Sequence, residues 1–99
     1  MNVAQTILAQ LGGNRFARMT GANKFLGATD ALSFHLPRGA KDKINFVKIK
    51  LTPMDVYDIE FSYYNVRKLK LEPVTNFAGA YAEDLETLFT SATGLYTRL

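Results

Sequence analysis

Three consecutive runs between residues 44 and 72 alternate apolar and polar side chains with a period of two. The runs cover residues 45–51, 56–63 and 68–72. Such alternation is typical of strands that place one face on a core and the other face in water. Because short connections join antiparallel neighbours, the three runs predict an antiparallel meander.

The apolar faces determine how the first two runs pair. If both runs share a core face, Leu51 lies opposite Tyr57 and Ile49 lies opposite Ile59. This pairing leaves the loop 53–55, where proline suits the first position and aspartate tolerates a left-handed backbone. The charges are not used to choose the pairing. The pairing nevertheless places oppositely charged side chains across from each other, and this agreement supports the pairing. The charged pairs on the outer face are Lys48 with Glu60 and Lys50 with Asp58.

The same reasoning extends the meander to the third run. Pairing Tyr63 with Leu69 leaves 65–67 as a loop. Pro73 cannot donate to a ladder, so the third run is expected to be an edge strand or to end there. Residues 75–80 are predicted to form a turn.

Apolar residues at helical spacing indicate helices on both sides of the strands. Residues 32–36 alternate like the other runs and add a fourth strand, whereas 22–30 fit either a brief strand or an irregular connection. We therefore predict a single α+β domain over 1–99, a four-stranded antiparallel meander with its helices packed on one face. The predicted helices are 2–11, 15–19 and one that starts near Ala82.

The composition excludes several classes of site. The absence of cysteine excludes disulfides, thiolate metal sites and cysteine nucleophiles, and with a single histidine we expect no metal and no cofactor. No apolar run approaches the roughly 18 residues that span a bilayer. The N-terminus lacks the cationic start and the apolar stretch of a signal peptide. These features predict a cytoplasmic protein with no membrane partner.

The net charge of +3 hides an uneven distribution. Up to Leu51 the chain has eight basic and two acidic residues, and from Thr52 onwards it has four basic and seven acidic residues. A basic half is typical of proteins with an anionic partner. A meander brings the two halves together, so the sequence leaves open whether the asymmetry cancels in space.

The outer face of the sheet is the main candidate site. Proteins that bind single-stranded nucleic acid stack bases on exposed aromatic rings while cations hold the phosphates. A basic loop at 38–43 would extend such a surface, whereas Asp58, Glu60 and Glu72 are expected on the same face and would repel phosphate. The candidate partner-binding residues are Phe46, Lys48, Lys50, Tyr64, Arg38, Lys41 and Lys43.

Three other features favour structural over catalytic interpretations. A catalytic role for His35 would require a nucleophile and an orienting carboxylate nearby, and the sequence shows no such arrangement. Asp58 and Glu60 face lysines across the ladder, which favours surface ion pairs over a metal site. Gly12 and Gly13 lack the spacing of a phosphate loop and fit helix caps. We therefore predict no catalytic residue and a non-enzymatic protein, with a small enzyme of unknown reaction as the third hypothesis.

Several segments of the chain, taken together, resemble those of a known group of proteins. The segments are ILAQLGGNRF at 7–16, MTGA at 19–22, LSF and LPR within 32–38, MDVYDIEF at 54–61 and ATGLYT at 92–97. Over nearly its whole length the chain resembles small, mostly uncharacterised proteins of bacteriophages and other mobile elements. The resemblance implies a phage or integrated element in a bacterial cytoplasm, and it carries over no catalytic or binding residues.

These observations lead to two functional hypotheses. The first is a phage-type accessory protein that binds a protein or nucleic-acid partner through the outer sheet face and the 38–43 loop. The alternative is a sequence-tolerant single-strand binder that uses Phe46, Tyr64, Lys48 and Lys50. An open edge at the 32–36 strand would also allow homodimerisation by edge pairing.

Overall fold

A computed structural model describes residues 2–37 and 39–97 and contains one antiparallel sheet whose five strands follow chain order. The α+β prediction is confirmed, and the sheet has five strands where four were predicted. The elements are α1 Val3–Leu11, α2 Gly13–Thr20, β1 Asn23–Gly27, β2 Ala31–His35, β3 Phe46–Leu51, β4 Tyr57–Asn65, β5 Lys70–Ala80 and α3 Leu85–Thr93, with 3-10 turns at Lys41–Lys43 and Ala82–Asp84.

The helices cover one face of the sheet, as predicted. Phe16 of α2 and Phe89 of α3 are buried against Phe34 of β2 and Phe61 of β4. The ring of Phe16 meets those of Phe34 and Phe89 edge-on, with centroids 5.4 and 5.1 Å apart. Edge-to-face aromatic pairs add to the burial of their apolar area, so these rings join the helices to the sheet. No helix among the described residues is long and apolar enough to cross a membrane.

The predicted pairing of β3 with β4 is confirmed. Leu51 lies opposite Tyr57 and Ile49 opposite Ile59, and both charged pairs, Lys48 with Glu60 and Lys50 with Asp58, are in register. The loop 53–55 closes with a hydrogen bond of 2.8 Å from the Thr52 N–H to the Val56 carbonyl. Asp55 takes the left-handed conformation at a φ of 61°.

The predicted pairing of β4 with β5 is wrong. Tyr63 lies opposite Glu72, and Asn65 lies opposite Lys70. The connection therefore runs over 66–69, one residue longer than predicted, and Leu69 within it adopts a left-handed φ of 50°. A change of one loop residue turns every side chain of the following strand to the other face. Glu72 consequently leaves the outer face.

The two edges of the sheet also differ from the prediction. Residues 75–80 continue β5 and do not form a turn, and a bulge at Val74 separates the partners of Ser62 and Phe61. Pro73 lies in an edge strand, as expected. At the other side β1 pairs with β2, so the open edge predicted at 32–36 is wrong. A homodimer formed by edge pairing would have to use β1 or β5.

Candidate functional site

The antiparallel sheet sorts the charged connections between two ends, because successive connections of a meander alternate from end to end. The β2–β3 connection (36–45) and the β4–β5 connection (66–69) lie together at what we call the basic end. The charged residues that the structure describes in these connections are Lys41, Lys43, Arg67 and Lys68, with Asp42 as the single acid.

The opposite end, which we call the acidic end, contains the remaining connections. These are 28–30, 52–56 and 81–84. They contain four acidic residues and no lysine or arginine: Asp30, Asp55, Glu83 and Asp84. The charged connections are therefore separated along the strands, with most of the cations at one end of the sheet and acids at the other.

A cleft of about 730 Å³ opens at the basic end between its two connections. Lys43 lines it from the β2–β3 side and Arg67 from the β4–β5 side, with Tyr63 and Tyr64 between them. The described lining residues include no acid, although the carboxylate of Glu72, opposite Tyr63, accepts a hydrogen bond of 3.4 Å from Nδ2 of Asn65 at the edge of the cleft. A space of this size suits a nucleotide-sized group, and its charge favours an anion.

Asn45 holds the end of β4 in place beside the cleft. Its Oδ1 accepts a hydrogen bond of 2.7 Å from the Tyr64 N–H, and its Nδ2 donates one of 3.3 Å to the Tyr64 carbonyl. The Asn45 N–H also donates to the Ser62 carbonyl at 3.0 Å. The asparagine side chain thus replaces a backbone partner just before β3 and fixes the Tyr64 backbone beside the cleft.

A second hollow, of about 370 Å³, lies on the outer face next to the cleft. The residues that line it, here called the aromatic patch, are His35, Phe46, Tyr64 and Leu71. His35 and Phe46 are paired across β2 and β3, and their rings meet edge-on with centroids 5.1 Å apart. Tyr64 lines both the patch and the cleft, so the two form one continuous surface.

The predicted site residues divide into three groups. Phe46 and Tyr64 come together in the aromatic patch, and Lys43 lines the cleft with Lys41 in the same connection. Arg38 lies outside the described residues. Lys48 and Lys50 are exposed on the outer face but line neither the cleft nor the patch. Each lies opposite an acid in the ladder, as the sequence predicted.

Sequence reasoning missed several residues of this surface. The predicted pairing of Tyr63 with Leu69 put Leu71 on the core face, whereas the observed pairing places Leu71 opposite Tyr64. His35 was interpreted as an isolated surface residue, although the alternation of 32–36 puts it on the outer face. No sequence pattern identified Arg67 or Asn45, because their positions near the cleft depend on which connections are neighbours in the fold.

His35 is partly sheltered in the aromatic patch. Burial lowers the pKa of its imidazole below the ordinary value of 6.5, and the positive charge of Lys24 lowers that pKa further. The neutral ring is therefore favoured near neutral pH, and it presents a flat, uncharged face beside Phe46.

Backbone strain is concentrated at the same end. Among the described residues other than glycine, five have a positive φ: Lys24, Asp42, Lys43, Asp55 and Leu69. Four of them belong to the basic end or, like Lys24 in β1, lie next to it, since Asn23 pairs with His35. Lysine and leucine rarely adopt this conformation, and such strain gathers at functional sites.

The described residues include no group of three or more His, Asp or Glu side chains placed to hold a metal ion. Comparison of the chain with protein-family models, curated proteins and solved structures finds no match.

Proposed function

We propose that this protein binds single-stranded nucleic acid at its basic end and acts by binding, without catalysis. The observation that carries the proposal is the continuity of the aromatic patch with a cleft lined by cations, joined at Tyr64. Aromatic platforms beside a positive groove are the recurring design of proteins that bind single strands.

Each part of the surface suits one part of the ligand. Phe46 and Tyr64 offer ring faces on which unpaired bases stack, and Lys43 and Arg67 offer charges for the phosphates that link those bases. Stacking uses the π-face that every base has, and phosphate contacts are the same for every sequence. The expected ligand is therefore a single strand of any sequence.

The proposal narrows the broader hypothesis of an accessory protein with a protein or nucleic-acid partner. The cleft favours an anionic ligand because cations line both of its walls. The phage or mobile-element setting stays a prediction from the resemblance. Homodimerisation also stays a prediction, which sedimentation would test.

Binding of labelled oligothymidylate, followed by fluorescence anisotropy over a range of salt concentrations, tests the proposal. We expect the affinity to fall as salt rises, with a slope of about −0.7 per phosphate contact on a log–log plot. Removing two cations with Lys43→Gln and Arg67→Gln should weaken binding at least about tenfold and flatten the slope by about 1.4, twice that amount.

A matched control removes two cations from elsewhere. Arg15 is exposed on α2, and Lys50 lies on the outer face away from the cleft. The double variant Arg15→Gln and Lys50→Gln has the same net charge as the cleft variant but should retain affinity within about threefold, because screening weakens distant charges. If both double variants lose affinity equally, or if no oligonucleotide binds at low salt, the proposed function is wrong.

A test of stacking separates base contacts from simple charge attraction. Replacing Phe46 and Tyr64 by leucine keeps apolar side chains in the patch but removes the aromatic faces. We expect a loss of about tenfold or more with little change in the salt slope. An unchanged affinity would show that the aromatic patch does not contact the ligand.

A further inference from the structure

The tip of the β4–β5 hairpin combines exposed apolar side chains with cations. Val66 is 70% exposed and Leu69 is 76% exposed. Arg67, Lys68 and Lys70 lie between and beside them in the chain. Val66 and Arg67 also line the cleft, so the tip is the outer wall of the proposed single-strand site.

Leucine is an energetically unfavourable residue for the backbone conformation at position 69. The φ of Leu69 is 50°, a left-handed conformation that glycine adopts without penalty and asparagine with little. The turn is held by hydrogen bonds that do not involve the leucine side chain: the Leu69 N–H donates to the Val66 carbonyl at 3.4 Å, and the Lys68 N–H donates to Asn65 Oδ1 at 3.2 Å. Because the side chain is exposed, core packing does not explain it either.

We infer that Val66 and Leu69 form an apolar wedge that inserts between bases where a single strand meets a duplex. The inference rests on the proposed function and specifies its ligand as a junction between single-stranded and double-stranded nucleic acid. The unpaired strand lies along the cleft and the aromatic patch, and the first base pair of the duplex meets the hairpin tip. Arg67, Lys68 and Lys70 contact the phosphates on either side of the inserted side chains.

The chemistry of a junction matches such a tip. Proteins that kink or open nucleic acid insert leucine and similar apolar residues between base steps while cations hold the backbone. The terminal base pair of a duplex has only one stacked neighbour, so separating it costs less than separating an internal pair. An apolar side chain placed against it gains a stacking contact that an isolated single strand does not provide.

The acidic end supplies a matched control for this tip. Met54, in the 52–56 connection, is 81% exposed and is likewise a large apolar residue in a hairpin connection. Its connection contains Asp55 and no cation. A wedge that requires both apolar side chains and cations should therefore depend on Leu69 and not on Met54.

The test compares the affinity of the full chain for three labelled DNAs of matched composition: a single strand, a blunt duplex and a forked duplex whose tail equals the single strand in length. We expect the fork to bind about tenfold more tightly than the single strand. With Leu69→Gly, and equally with Leu69→Asn, this preference should fall to within about twofold while single-strand affinity is kept. Met54→Gly should leave both affinities unchanged.

A second readout reports the insertion directly. The fluorescence of 2-aminopurine placed at the terminal pair of the fork rises when the base loses its stacked neighbours. It should rise on binding of the natural protein and of Met54→Gly, and stay low with Leu69→Gly at saturating protein. This separates a wedge from a tip that only adds affinity.

The outcomes distinguish the wedge from the proposed function. Failure to bind any oligonucleotide overturns both. Equal binding of single strand and fork overturns the wedge and leaves single-strand binding intact. If the natural protein binds vesicles that contain anionic lipid, loses that binding with Leu69→Gly and shows no preference for the fork, the tip serves a lipid surface and the wedge is overturned.

Discussion

The two ends of the sheet meet the same geometric demand with different residues. At the acidic end the β3–β4 connection places Asp55 at its left-handed position, and β5 uses Gly79 at a φ of 77° before it ends. At the basic end Asp42 and Gly39 also have positive φ, but so do Lys43 and Leu69. Aspartate and glycine adopt this conformation readily, whereas lysine and leucine do so at a cost.

This difference bears on the binding site proposed at the basic end. A connection selected only to turn the chain is expected to use the residue that the backbone favours. The basic end keeps a strained leucine and a strained lysine beside a cleft, and neither is explained by packing, since both are exposed. If the basic end binds a ligand as proposed, this contrast has an explanation that chain folding alone does not supply.

The largest expected effect tests whether the basic end is built as a rigid site. Asn45→Ala removes both hydrogen bonds to the Tyr64 backbone and should lower the free energy of unfolding by about 2–3 kcal/mol. Thr52→Ala at the acidic end removes a single exposed contact of 3.3 Å to the Met54 N–H and should cost less than about 1 kcal/mol. Urea denaturation measures both. Equal losses would mean that Asn45 is no more structural than an ordinary turn residue.

The next effect tests the strain itself. Leu69→Gly should raise the free energy of unfolding by about 1 kcal/mol, because glycine relieves the left-handed conformation. Asp55→Gly should change it by less than about 0.5 kcal/mol, since aspartate already tolerates that backbone. The same denaturation experiment reads both variants. A destabilised Leu69→Gly would show that the leucine side chain supports the fold and would weaken the contrast between the ends.

The smallest effect concerns the only histidine, which lies at the basic end. Because the pKa of His35 is lowered in the folded state, the unfolded chain binds its proton first as the pH falls. The resulting stability is fully present above the unfolded pKa of about 6.5 and is lost as the pH falls through the folded value. The urea midpoint of the natural protein should therefore fall slightly more than that of His35→Gln between about pH 7 and pH 5. Parallel curves would contradict this assignment.

The sequence predicted the β3–β4 hairpin correctly and the β4–β5 hairpin incorrectly, and the difference has a physical reason. Alternating apolar residues and two charged pairs identified how β3 meets β4, and the Pro-Met-Asp loop agreed with that pairing. For β4 and β5 the predicted three-residue loop was wrong, because the sequence around Leu69 gives no indication of a residue with a left-handed backbone conformation. β1 was left open because all five of its residues are exposed, so it has no apolar alternation to detect.

The candidate site was predicted in part for the same reason. Phe46, Tyr64 and Lys43 were identified because aromatic and basic residues on an outer face or loop are visible in a pattern. Arg67 and Leu71 were missed, since their position depends on the length of the β4–β5 connection. Asn45 was missed because a side chain that replaces a backbone partner has no local signature.

The amino-acid sequence alone determines the α+β class, the core faces of β3 and β4, and the pairing between those strands. Alternation and helical spacing are local properties of the chain, so they can be detected without the tertiary structure. They do not settle which loops are neighbours. The antiparallel sheet brings 36–45 to 66–69 and sets both apart from 28–30, 52–56 and 81–84. Segments far apart in sequence thereby combine into a basic end and an acidic end. The cleft thus combines Lys43 from the basic half of the sequence with Arg67 from the acidic half.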